Sequence, residues 1–193
     1  YKKIVSYVAT THAELMLSLT PTPQEINTLR TRITSIQDER MFIRKVLEKL
    51  PPTSPSSFVE TFKPIGATTN QTYKKMLHEE ALLHLDHFLR LNPTWEEAKH
   101  LAVAISEPLG VYLRVLESKL AQANTPEAFT SEALRAREFV QSKKEITAIA
   151  KTIKKLLPKL DAMAPSMTDL LLLYTQYPDL KWQYRFRRIK AWA

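Results

Sequence analysis

The sequence has no cysteine and only two glycines among 193 residues. Without cysteine there are no disulfides, thiolate metal sites or thiol nucleophile. Two glycines cannot build a phosphate-cradling loop, a dinucleotide fingerprint or a nucleophile elbow, because each needs several backbone positions that only glycine tolerates. Sheet-rich folds with tight primed hairpins are disfavoured for the same reason. No long hydrophobic run is present. The longest uninterrupted run of leucine, isoleucine or valine is Leu170–Leu173, far below the roughly 18–20 residues of a membrane span. No cleavable hydrophobic leader opens the chain. The first residue is Tyr1, which reads either as a mature chain whose targeting peptide was removed or as a trimmed terminus.

Charge is present but uneven. The net charge is +8. Residues 1–134 hold 15 basic and 15 acidic side chains, whereas residues 135–193 hold 13 basic and 5 acidic ones. A basic C-terminal part suggests an acidic partner: nucleic acid, an anionic membrane surface or an acidic protein.

Hydrophobic periodicity predicts an all-α fold in an extended helical, coiled-coil arrangement with Pro-rich breaks and a basic C-terminal arm. Five regions are expected: N-terminal helices over 1–50, a Pro/Ser/Thr-rich linker over 51–69, a helical hairpin region over 70–123, a long basic helix and a short capped helix over 124–178, and a tail over 179–193. Thr22 is an N-cap, with Pro23 at the first helical position and Glu25 closing a capping box. From there Ile26, Leu29, Ile33, Ile36, Arg40, Ile43, Leu47 and Leu50 step by alternating threes and fours. This is a heptad seam with one Arg at an apolar position. It reads as a rod docking on another helix, or as an amphipathic helix of an ordinary bundle. Further helices are expected over 71–91, from Trp95 to Ala123 with a break at Pro108, and from Pro126 to Leu157. Asn124-Thr125-Pro126 and Ser166-Met167-Thr168-Asp169 are further caps.

Few residues suggest chemistry. Glu80, His84 and His87 fall on one face of a helix, as a single metal would require. Bundle metal sites add a Glu-x-x-His pair from another helix, and this chain has none, so a solvated face is the plainer reading. No serine sits in a glycine-flanked turn. The carboxylates of Glu79-Glu80 and Glu96-Glu97 are adjacent, about 100° apart on a helix, and read as solubility charges or first-turn dipole partners. No catalytic residue, cofactor, metal or small-molecule substrate is expected.

Two segments suggest contact. Lys143, Lys144, Lys151, Lys154, Lys155 and Lys159 surround a stripe of Ile146, Ile149, Ile153 and Leu156. Anionic lipid, an acidic protein helix or phosphate backbone would fit, as would a merely well-solvated helix. The tail interleaves aromatics with cations, including Trp182, Arg185, Phe186 and Arg188. It suits a protein groove, RNA or a membrane interface.

Residues 137–180 also resemble a known family. Glu138-Phe139, the course through Lys143, Ile146, Ile153 and Lys154, then Met167-Thr168-Asp169-Leu170 and Tyr177-Pro178 follow the order of the C-terminal part of mitochondrial ATP synthase subunit d. The Asp comes one or two positions early. The tail is basic where animal members are rich in Pro and aromatics. The resemblance implies a non-catalytic subunit of the peripheral stalk, at the matrix side of the mitochondrial inner membrane. Such a subunit lies along other stalk helices and holds the catalytic head against the rotor. The partner faces would be the seam (Ile26, Leu29, Ile33, Ile36, Ile43 and Leu47) and the Ile146–Leu156 stripe. The composition leaves open a rival, an RNA-contacting helical protein such as a peripheral mitochondrial ribosomal component.

Overall fold

Capping chemistry marks most helix starts. The computed structural model describes residues 12–33, 35–64 and 70–180. Within them lie eleven α-helices and no strand. Thr22, Ser54, Thr94, Ser142 and Ser166 each close a reciprocal capping box with the residue three positions on. The Thr22 and Ser142 backbone amides, with their hydroxyls, hold the Glu25 and Glu145 carboxyls below the usual range.

The chain divides into two compact units, residues 1–107 and 108–193. The first holds α1 (Ala13–Ser18), α2 (Pro23–Arg30), α3 (Ile36–Lys49), α4 (Pro55–Phe62), α5 (Gln71–Leu83), α6 (Leu85–Arg90) and α7 (Trp95–Ala104). Helix α3 packs on α1 and α5, and α4 packs on α2 and α7. Phe58 of α4 lies 4.9 Å from Phe62 and 5.1 Å from Phe88, ring centre to ring centre, and all three are fully buried. Such tilted aromatic contacts add to the burial itself.

The second unit holds α8 (Pro108–Gln122), α9 (Pro126–Glu138), α10 (Lys143–Ala162), α11 (Met167–Gln176) and a 3-10 turn at Pro178–Leu180. Helices α8, α9 and α10 pack on one another, and α11 packs on α9. Tyr177 is fully buried and donates to the Ala133 carbonyl at 2.6 Å, and burial pushes its phenol well above its ordinary pKa. Lys159 donates to the Leu120 and Ala121 carbonyls, filling two orphan acceptors where α8 ends.

Several expected boundaries are corrected. The rod over 22–50 is two helices, stopping at Arg30 and restarting at Ile36. Ser35 caps the new helix by accepting from the Asp38 amide, so local capping wins over helix continuation. The linker over 51–69 contains α4, whose Phe58, Val59 and Phe62 are core residues. The 70–123 region is shared between the two units. The helix expected over 71–91 is interrupted at His84. The helix expected from Pro126 to Leu157 breaks after Glu138, where the Ser142–Glu145 box begins a fresh one. That helix then runs through Pro158, which lies on the exposed side, where water can take the freed carbonyl.

Four helix ends turn through left-handed residues that are not glycine: Thr20, Asn92, Ser106 and Ala164, at φ of 50°, 53°, 57° and 54°. Each sits just past a helix, where glycine is the usual choice.

Candidate interaction surfaces

The expected docking seam is largely internal. Ile33, Ile43 and Leu47 are buried, while Ile26, Leu29 and Ile36 are half-buried. Ile33 joins Ala13, Leu17, Phe42 and Val46 in one cluster, with Ile26, Leu29 and Leu50 packed against it. These side chains cover each other within the first unit, so the seam is a core and not a free face for a partner. The α10 stripe meets the same correction. Ile149 and Ile153 are fully buried, and Ile146 and Leu156 are half-buried. Trp182, Arg185, Phe186 and Arg188 lie outside the described residues.

The Arg at the seam's odd position has a clear partner. Arg40 Nη2 donates to Glu79 Oε2 at 2.6 Å, and its Nε lies 3.4 Å from Glu80 Oε1. Arg44 donates from Nε to Glu80 Oε2 and from Nη2 to Glu80 Oε1, each at 2.7 Å. Glu80 is fully buried, so the Glu79-Glu80 pair is not a solvated solubility feature as the adjacent charges suggested. Two arginines from α3 neutralise it, in the geometry that makes Arg–carboxylate pairs strong. A second ion cluster lies nearby in sequence. Arg30 is 2% exposed and donates to Glu39 Oε1 from Nε at 3.2 Å and from Nη2 at 2.9 Å. Its Nη1 donates to the Thr61 carbonyl at 2.9 Å, and Tyr73 Oη donates to Glu39 Oε1 at 2.8 Å. Arg30 thus ties α2 to α3, α4 and α5.

The histidines do not form a ligand set. Glu80 is engaged by arginines, and a His87 ring nitrogen lies 2.8 Å from the Pro52 carbonyl oxygen. His84 occupies the break between α5 and α6. Burial lowers its pKa, the Arg44 and His87 charges add to this, and Glu80 opposes it. Among the described residues no three metal-ligating side chains gather.

A cleft of about 500 Å³ lies between α4 and α7, with Val59, Val103 and Ala104 on its walls. Ser56 Oγ donates to Glu97 Oε1 at 3.0 Å on its edge. The cleft ends at Pro64, the last described residue before Asn70.

Among the described residues of the second unit, two stretches of surface stand out. On α11, Leu170, Leu173 and Tyr174 face inward, while Met167, Leu171 and Leu172 are 43%, 55% and 48% exposed. The signal for this was the run of four leucines. At about 100° per residue, four consecutive positions cannot share one buried side. On α10, Lys143, Lys144, Lys151, Lys154 and Lys155 are exposed. Lys159, expected among them, turns back onto α8.

No family model, curated protein or solved structure matches the chain. No described helix is long and apolar enough to cross a membrane.

Proposed function

We propose that the chain is a non-catalytic helical subunit of a larger assembly, and that the assembly is the peripheral stalk of a mitochondrial ATP synthase. The carrying observation is the exposure of Leu171 and Leu172 on α11, two neighbouring leucines that stay about half exposed. Exposed apolar strips on a helix suit helix-on-helix docking. The resemblance over 137–180 names the assembly, and two features are in keeping with it. A helix begins at Met167 behind a Ser166 cap, and it closes at Tyr177 before Pro178. The docking face moves from the two stripes, which are internal, to α11.

Affinity isolation of the tagged full chain in mild detergent tests the reading. ATP synthase stalk subunits are expected to co-purify. Burying the exposed halves of two leucines is worth about 2 kcal/mol, so Leu171→Glu with Leu172→Glu should cut that recovery roughly 30-fold. Recovery with ribosomal RNA and without ATP synthase subunits overturns it.

The RNA-contacting reading takes second place. It is favoured by the exposed lysines of α10, but that helix has no aromatic side chain on which a base could stack.

A further inference from the structure

Five exposed lysines of α10 share one face. At about 100° per residue, Lys143, Lys144, Lys151, Lys154 and Lys155 project within an arc of about 120° and span about 18 Å along the axis. Among the described residues none has a carboxylate partner within ion-pair distance, whereas Lys159 on the flank is held by the end of α8. Charges facing the patch from other elements are few. Asp179 accepts from the Thr147 hydroxyl at 3.2 Å, and Asp161 enters the same arc two turns beyond Lys154. The thirteen residues after Leu180 carry five cations and no acidic side chain. Their side chains bring no negative charge.

The near end of this face is concave and apolar. Leu109, Thr147 and Ala148 floor a hollow of about 480 Å³, with Lys143, Lys144 and Lys151 around it. The Thr147 hydroxyl is already engaged, so the floor has little to offer a base edge. The hollow has the volume to seat one phospholipid headgroup, with three lysines around it to meet the phosphate. Lysines are mobile point charges, suited to a fluid array of phosphates and poorly suited to fixed bidentate recognition. Clusters of four to eight basic residues on a helix are the size that anionic leaflets attract. The apolar side of α10 is buried in its own bundle, so the helix rests on the headgroups and does not insert.

We propose that the lysine face of α10 docks on an anionic phospholipid surface, with one headgroup seated in the hollow beside Leu109. This goes beyond the stalk reading and does not depend on it.

Vesicle co-sedimentation of the purified full chain tests it, with phosphatidylcholine vesicles carrying or lacking phosphatidylglycerol. Binding is expected only with phosphatidylglycerol, and it should weaken as salt rises. A lysine at such a surface is worth about fivefold in partition, so Lys144→Gln, Lys151→Gln and Lys155→Gln together should lose about 100-fold. The corresponding triple Arg variant should retain binding, and circular dichroism melts of both should match the parent. Equal binding to both vesicle types overturns the proposal. So does anionic binding that the Gln variant keeps, which would place it elsewhere on the chain. A uridine oligonucleotide that binds more tightly than the vesicles, and is lost on the same substitutions, also overturns it and assigns the face to nucleic acid.

Discussion

Replacing Arg30 by Met removes the centre of a buried ion cluster. Glu39, 7% exposed, keeps one donor in the Tyr73 hydroxyl but loses its counter-charge. The Thr61 carbonyl loses its donor as well. Leaving a buried charge uncompensated costs about 3–5 kcal/mol. That is a large share of a stability of about 5–15 kcal/mol. With a urea dependence of about 2 kcal/mol per molar, the midpoint should fall by about 2 M. Trp95 is 2% exposed in the same unit and reports its unfolding by fluorescence, once Trp182 and Trp192 are replaced by Phe to silence the tail. Arg30→Met with Glu39→Leu removes both charges, and adding Tyr73→Phe removes the stranded hydroxyl. More than half the lost stability should return, since apolar replacements of a buried pair are often tolerated. Arg30→Met costing under about 1 kcal/mol, or a double variant as unstable as the two singles summed, would refute the account.

Phe58→Ala should destabilise the first unit by about 3–5 kcal/mol in the same Trp95 assay, because a fully buried ring leaves a cavity between Phe62 and Phe88. A negligible loss would restore 51–69 to the status of a linker. His84 should titrate below its ordinary 6.5 in a proton NMR series. The unfolded chain then binds a proton more readily than the native one, so this contribution is present above pH 6.5 and is lost as pH falls through the depressed pKa. His84→Asn should flatten that part of the acid limb. A His84 that titrates above 6.5 would show that burial is not the dominant influence.

Local signals read well and long-range ones did not. Thr22-Pro23 with Glu25, Thr125-Pro126 and Ser166 with Asp169 all cap helices, because capping is chemistry within four residues. The heptad spacing from Ile26 to Leu50 located the right apolar residues but misjudged what covers them. Two short amphipathic helices closing on one cluster satisfy the same alternation as a single rod. The break itself was marked by Ser35, whose side chain competes for the backbone. Glu80 was the larger omission. Its partners Arg40 and Arg44 stand 40 and 36 residues away, and nothing local distinguishes a carboxylate bound for the core. The one hint was Arg40 itself, a charge at a seam position that calls for an apolar residue. On the surface, the lysines of α10 were legible as a group, whereas the diversion of Lys159 to the end of α8 depended on tertiary approach. The exposed side of α11 was implicit in four consecutive leucines.

The glycine-free helix ends have a bearing on how the chain finds its shape. Left-handed geometry costs an ordinary L-residue about 1–2 kcal/mol, and neither Gly66 nor Gly110 stands at one of the four corners. Only at Ser106 does the wider wrap-around bond form, from the Glu107 amide to the Ala102 carbonyl at 3.0 Å. At Thr20, Asn92 and Ala164 the next residue is Pro21, Pro93 or Pro165, which has no amide to donate in that bond and cannot continue the helix. At all four corners the turned residue's own amide still donates to the carbonyl three positions earlier, so each reversal is closed by bonds within its own few residues and does not wait for glycine.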